Sequence, residues 1–378
     1  MNKIFTLVLN SASVIGWTFN ECHHIANALT FFSSPRFPNF NFDKIISLQN
    51  LIHTPSTLFT LIQNVNRQKK FLQQHLQKEL EIARRTNDGS LDESDFKKIT
   101  SYYGLAVPAI LGEALCVLRG NKMTVDERKA LTYQGAMTGL FDDFFDKQDI
   151  PEDLLKNLIE HPDTIVPSNS SEKLFLDFYK KVMQHSHDPA LTLYYLEKVY
   201  DAQVESKKQA ITGSLSKEEI KRIIIHKGGV SVLFYRSVLS NPLSKEEEQG
   251  LYQMGGLMQF GNDIFDVYKD CQKNIDTLIT TAHDINDVRF DFEAMTETAF
   301  ASVYQTGYKK QNIRKFLRLI SMSLCSRSYV CLDHFEKKER QTNQEFLPYQ
   351  YNREDLVCDM EKPGNKWRSV LYHIRHEI

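Results

Sequence analysis

Leu140-Phe-Asp-Asp-Phe-Phe-Asp146 places three carboxylates at i, i+1 and i+4, near the end of an apolar-periodic run that begins at Thr124. At 100° per residue, Asp142 and Asp146 lie about 40° apart on a helix and Asp143 within about 100° of both, so all three can reach one site. Burying like charges together is costly unless a cation compensates them, and Mg²⁺ takes a few carboxylate oxygens while leaving positions for phosphate and water. Phe141, Phe144 and Phe145 interleave with the acids. Such an aromatic collar is out of place on a solvated helix end and expected at the mouth of an apolar cavity.

One acidic string is a weak signal by itself, and a second one decides the reading. Gln259-Phe-Gly-Asn-Asp-Ile-Phe-Asp-Val-Tyr-Lys-Asp270 sets Asn262, Asp266 and Asp270 at i, i+4 and i+8, within about 80° of helix surface. Asp263 opens a second register with Asp266 and Asp270, at i, i+3 and i+7. Gly255, Gly256 and Gly261 share that segment, each at about 1 kcal/mol of helix propensity relative to alanine. That cost makes sense where a ligand or another helix must come close.

Around these two segments the pattern is helical throughout. Strand-like alternation is scarce, and no proline occurs between Pro189 and Pro242 or between Pro242 and Pro348. Thr124 with Glu127, Ser216 with Glu219, and Ser244 with Glu247 have the spacing of capping boxes, and Asp188-Pro189 reads as a further helix start. We expect an all-α fold with helices over 45–84, 95–119, 124–147, 170–185, 189–211, 216–240, 244–273, 285–308 and 311–338. Three regions follow: an irregular N-terminal extension over 1–44, a single helical bundle around a central apolar cavity over 45–340, and a peripheral C-terminal tail over 341–378 with a short helix at Lys366 to His376.

The two acidic segments resemble the motifs of the class I isoprenoid synthases, the superfamily of prenyl diphosphate synthases, squalene and phytoene synthases and class I terpene synthases. The resemblance covers about residues 95 to 340. Asp142, Asp143 and Asp146 match the first aspartate-rich motif, DDxxD, and Gln259 to Asp270 is similar to the second. The resemblance implies that Asp142, Asp143, Asp146, Asn262, Asp263, Asp266 and Asp270 hold several Mg²⁺ (or Mn²⁺) ions against a prenyl diphosphate. His226-Lys-Gly-Gly-Val-Ser-Val-Leu-Phe234 is similar to an element whose lysine grips the diphosphate, which implies that role for Lys227. Its two glycines would let the helix break there and admit phosphate.

What the resemblance implies chemically is ionisation of a prenyl diphosphate to a carbocation and pyrophosphate, with Asp142, Asp143 and Lys227 as the catalytic groups. Arg222, Arg236, Lys269 and Gln259 would help bind the diphosphate, and Phe141, Phe145, Phe234 and Phe260 would wall the cavity, shielding the cation from water. Chain-elongating members place arginines just after the first motif and a Gly-Lys-Arg element upstream. Here Lys147 and Gln148 follow Asp146, and Ser101-Tyr-Tyr-Gly-Leu-Ala-Val-Pro108 stands upstream, so elongation is disfavoured. Cyclisation, rearrangement or elimination is the expected outcome. Head-to-head condensation and a catalytically silent prenyl-diphosphate-binding subunit are the alternatives, and a homodimer is an assembly the resemblance allows.

Other features narrow the classes. With a net charge of −2 over 378 residues and no basic face, nucleic acid is not an expected partner. Cys22, Cys116, Cys271, Cys325, Cys331 and Cys358 show neither zinc spacing nor disulfide density, and read as reduced thiols of a cytoplasmic protein. Met1 to Leu9 has a lysine before an apolar stretch, but Asn10, Ser11 and Ser13 interrupt it; no run of eighteen apolar residues suggests a membrane span. His185 and His187 precede the Asp188-Pro189 start and read as a solvated turn.

Overall fold

Helix caps and glycine seams set the architecture of the computed structural model, which describes residues 47–146, 151–210 and 213–375. The N-terminal extension lies outside those residues. Among the described residues every regular element is helical. Helix α1 (Leu48–His75) starts at Ser47, whose side chain accepts from the Asn50 amide. It breaks at Leu76, before α2 (Gln77–Arg85), so the one helix expected over 45–84 is two.

Helix α3 runs over Glu93–Arg119 and is interrupted by two π-helical segments, Lys98–Tyr103 and Val107–Gly112. It is long and apolar enough to cross a membrane by length and composition, but 83% of its most apolar window is buried within the protein, as a central core helix requires. Helix α4 (Val125–Asp146) carries the first acidic motif. Its start is the expected capping box: Thr124 N donates to Glu127 Oε2 (2.8 Å) and Glu127 N to Thr124 Oγ1 (3.2 Å).

Then follow α5 (Glu152–Glu160), for which no sequence signal was read, α6 (Ser170–His185) and α7 (Pro189–Ser206), capped by Asp188 as expected. Helix α8 (Lys217–Ser237) opens on the full Ser216/Glu219 box. Helix α9 (Lys245–Gln272) opens on half of one: Ser244 accepts from the Glu247 amide, while the Glu247 carboxylate turns to Arg236 and Tyr308. Helix α10 (Ile285–Tyr304) precedes α11, a single rod over 310–339 with a π-helical segment at Ser321–Cys325.

The C-terminal helix α12 (Pro363–Arg375) is no loose appendage. Val370, His373 and Ile374 are buried, Ser47 N donates to Ile374 O (3.1 Å), and Asn50 Nδ2 donates to His373 O (3.2 Å). The tail expected to be peripheral therefore completes the core beside α1. The cysteines are also less scattered in space than in sequence. Cys358, in the segment before α12, reaches back to α11, its thiol 4.0 Å from the carbonyl of Val330, the neighbour of Cys331.

The tightest seam is the crossing of α8 and α9. A Cβ on Gly228 would lie 2.0 Å from Gly255 O, one on Gly255 2.2 Å from Gly228 O, and one on Gly229 2.4 Å from the Tyr252 ring. Glycine here lets two backbones touch. This corrects the expectation of a break: α8 passes Lys227-Gly228-Gly229 without interruption, and the glycines admit a helix instead of a phosphate.

Candidate functional site

The first acidic motif sits on the last two turns of α4, where that helix meets the π-helical start of α3. Gly135 and Gly139 allow the approach, since a Cβ on Gly135 would lie 2.6 Å from Tyr103 O and one on Gly139 3.0 Å from the Tyr103 ring. Asp142 and Asp143 are both buried, at 0% and 3% exposure. Asp142 Oδ2 accepts from Tyr103 Oη at 2.8 Å, and Asp143 Oδ1 is ion-paired to Lys98. Burial first, and Asp142 next, push the Tyr103 hydroxyl well above its ordinary range, so it stays a donor. Asp146 closes α4, but its side chain lies outside the described residues.

Lys98 and Tyr103 were not read as site residues from the sequence. In an α-helix residues five apart are about 140° from one another. The i→i+5 closure of a π turn stacks them on one face, and both belong to the segment Lys98–Tyr103. No residue pattern announces that turn, so the pairing was not legible.

The second motif lies in the C-terminal half of α9. Asn262, Asp263, Asp266 and Asp270 are all at or below 5% exposure. Their partners come largely from the same helix: Gln259 Nε2 donates to Asp263 Oδ1 (2.7 Å), Lys269 Nζ pairs with Asp266 Oδ1 (2.8 Å), and Asn262 Nδ2 reaches Asp266 Oδ2 at 3.5 Å, the outer limit for such a bond. Gln259 Oε1 and Asn262 Oδ1 are buried with no hydrogen-bond partner among the described residues. Asp270 adds to the effect of burial in pushing the Cys271 thiol up to about 12.

Helices α7 and α8 connect the two motifs. Phe145, half-buried in the last turn of α4, lies 6.0 Å from the Tyr200 ring, and Lys207 Nζ stands 5.4 Å from the Phe145 ring. Neighbouring Ser206 accepts from the buried Lys227 Nζ at 3.0 Å. Lys227 precedes the glycine at which α8 meets Gly255 and Gln259. Arg222 is exposed at the rim of this assembly, paired with Glu205 at 2.8 Å. Contacts thus run from Phe145 of α4 to the end of α7, from Ser206 to Lys227 of α8, and from the backbone at Gly228 to α9.

Several expected site residues sit elsewhere. Arg236 is fully buried two and a half turns beyond Lys227, where Nε and Nη2 bond both Glu247 oxygens (2.6 and 3.0 Å). It holds α8 to the start of α9 and is not placed to bind a diphosphate beside Lys227. Phe260 packs edge-on to Phe292 at 5.6 Å in the α9–α10 seam. Phe141 and Phe144 pack on Phe175 of α6 (5.9 and 5.4 Å), and Phe234 is wholly buried against Tyr235. These rings serve as core, and Phe145 is the aromatic of the collar left partly open. His185 pairs with Asp126 at 3.2 Å, as a helix-end turn would.

Among the described residues no group of three or more His, Cys, Asp and Glu side chains is placed to hold a metal ion. The donor chemistry nonetheless suits a hard cation: carboxylate and amide oxygens on two helices, two of those amide oxygens buried without a donor. Mg²⁺ usually keeps waters and takes one or two carboxylates plus phosphate oxygens, so a pre-formed cage of protein ligands is not a requirement for it.

Among the described residues two hollows are present whose walls include no acid of either motif. One of about 750 Å³ runs between α1, α2 and α3, over Leu72, Leu76, Leu80 and Leu105, and one of about 400 Å³ lies between α11 and α12 beside Asp333 and Tyr372. Compared with protein-family models, with curated proteins and with solved structures, the chain finds no match.

Proposed function

We propose that the chain is a class I isoprenoid synthase-like enzyme: it binds a prenyl diphosphate through Mg²⁺ between α4 and α9, ionises it, and directs the carbocation to cyclisation, rearrangement or elimination. The observation that carries the reading is the burial of five carboxylates, Asp142, Asp143, Asp263, Asp266 and Asp270, on two helices that both contact α8, the helix of Lys227. Buried anions in that number are rare unless a cation brings them together.

In this reading Asp142 and Asp143 from one side, and Asn262, Asp263, Asp266 and Asp270 from the other, would hold the metal ions between α4 and α9. Mg²⁺, when bound, neutralises charge building on the leaving diphosphate. Lys227 adds a buried ammonium, whose interaction with phosphate oxygen is stronger for being shielded from water. Gln259 orients Asp263, and Arg222 and Lys269 offer mobile positive charge at the rim. Phe145 and Tyr200 pair their rings at the end of α4 that carries the acids, and an aromatic face turned to the substrate there would favour a carbocation through the ring quadrupole.

The test is incubation of the purified protein and Mg²⁺ with geranyl, farnesyl and geranylgeranyl diphosphates. Pyrophosphate release and mass-spectrometric product analysis are the readouts. Metal-dependent release with a hydrocarbon or alcohol product supports the enzyme, and a product of doubled chain length identifies head-to-head condensation. Binding without release from any of the three identifies a silent binding subunit, and neither binding nor release removes the reading altogether.

A further inference from the structure

Resting on that reading, we propose that Lys98 is the resident cation of the ligand-free site, held on Asp143 and displaced from it when a divalent metal loads. Asp143 retains only 4% side-chain exposure, and a carboxylate that deep is strongly disfavoured without a compensating charge. Lys98 supplies it from α3, in direct ion-pair contact with Oδ1. An ammonium and a divalent cation cannot share one carboxylate oxygen at contact distance without strong repulsion, because like charges a few ångströms apart in a partly dry site interact by several kcal/mol.

The neighbours make displacement of the lysine the easier solution. Tyr103, from the same π turn, hydrogen-bonds Asp142 Oδ2 and carries no charge, so it can remain while a metal approaches. Lys98 retains 17% side-chain exposure, against 4% for Asp143, and its flexible stem can withdraw the ammonium toward water. The apparent metal affinity is then the intrinsic affinity reduced by the fraction of molecules in which Lys98 has let go. In the absence of metal the same contact protects the fold.

The experiment measures Mn²⁺ binding alone, without any organic ligand, by electron paramagnetic resonance titration, alongside thermal unfolding with and without Mg²⁺. Lys98→Met is expected to bind Mn²⁺ about tenfold more tightly than wild type, the size of a competing population removed. Its unfolding temperature should be lower without metal and recover toward wild type with it. Lys98→Arg keeps a cation on Asp143 and should bind the metal as weakly as wild type. Lys97→Met removes a neighbouring charge that lies over the Tyr102 ring and should leave the affinity unchanged, which separates exchange from a general charge effect.

If wild type binds Mn²⁺ and Lys98→Met binds it equally or less tightly, the exchange is overturned while the metal reading stands. Binding by neither protein overturns both. Should Lys98→Met fail to fold even with metal, Lys98→Gln carries the same comparison in a polar side chain. A drop in pyrophosphate affinity at saturating Mg²⁺ in either variant would make Lys98 a ligand of phosphate and overturn the proposal.

Discussion

The acidic turns of α4 and of α9 bury similar charge by different means. On α4 the carboxylates lie at the C-terminal end, where the helix dipole is unfavourable to anions, and their partners Lys98 and Tyr103 come from another helix. On α9 they also lie toward the C-terminal end, but they are largely matched within the helix by Gln259, Asn262 and Lys269, three or four residues away. The first arrangement depends on α3 docking correctly; the second is built by the helix itself. If both serve one substrate, the α4 half is the adjustable one and the α9 half the fixed one.

The largest expected effect tests whether both halves do chemistry. Asp142→Asn and Asp266→Asn should each lower Mg²⁺-dependent pyrophosphate release by about 10²–10³-fold, the usual scale for removing one preorganised electrostatic group. Steady-state kinetics, with circular dichroism to confirm folding, reads the outcome. A full rate in Asp266→Asn beside a lost rate in Asp142→Asn would break the comparison and make the α9 acids structural.

A smaller effect asks how firmly the fixed half is fixed. Gly255→Ala forces a methyl group to within 2.2 Å of Gly228 O, and urea unfolding should show a loss of about 1–3 kcal/mol, typical of overpacking. Gly364→Ala meets open space and should change stability little. An unchanged Gly255→Ala would mean that the α8–α9 seam can slide, and with it Lys227 relative to Asp263.

The smallest effect concerns a buried carboxylate of α4 outside the site. Burial alone would raise Glu127, but hydrogen bonds from Thr124 and Ser240 and the Arg119 guanidinium outweigh it and hold the carboxyl down at about 2. With its folded value below the unfolded one, Glu127 stabilises fully above about pH 4.5, and the contribution fades as pH falls toward 2. Unfolding free energies between pH 2.5 and 6 should therefore slope more steeply in wild type than in Glu127→Gln. Equal slopes would show that permanent protein partners do not distinguish this acid from those of the site.

Local chemistry made the helices readable. Thr124/Glu127, Ser216/Glu219 and Asp188-Pro189 each depend on groups within three residues, and each forms as expected. Where a distant partner competes, the same pattern misleads: Glu247 has box spacing from Ser244, yet Arg236 and Tyr308 take its carboxylate. The acidic faces were legible because periodicity alone puts side chains on one side of a helix. Their neutralisation on α4 was not, because Lys98 and Asp143 are 45 residues apart and meet only through a π turn that no residue type encodes. The break at Leu76 and helix α5 were missed for the related reason that neither has a side-chain cap at its start. The glycines of α8 and α9 marked a close approach in sequence but could not say what approached.

The π turn over Lys98–Tyr103 also has an evolutionary consequence. Such a turn holds one residue more than an α turn, so an ordinary helix acquires it by gaining a single codon and loses it by dropping one. Deleting Thr100 would rotate everything upstream by about 100° relative to everything downstream, carrying Lys98 off Asp143 while leaving Tyr103 on Asp142. Descendants of one ancestor could thus differ in metal demand by a single indel, with every acidic residue untouched.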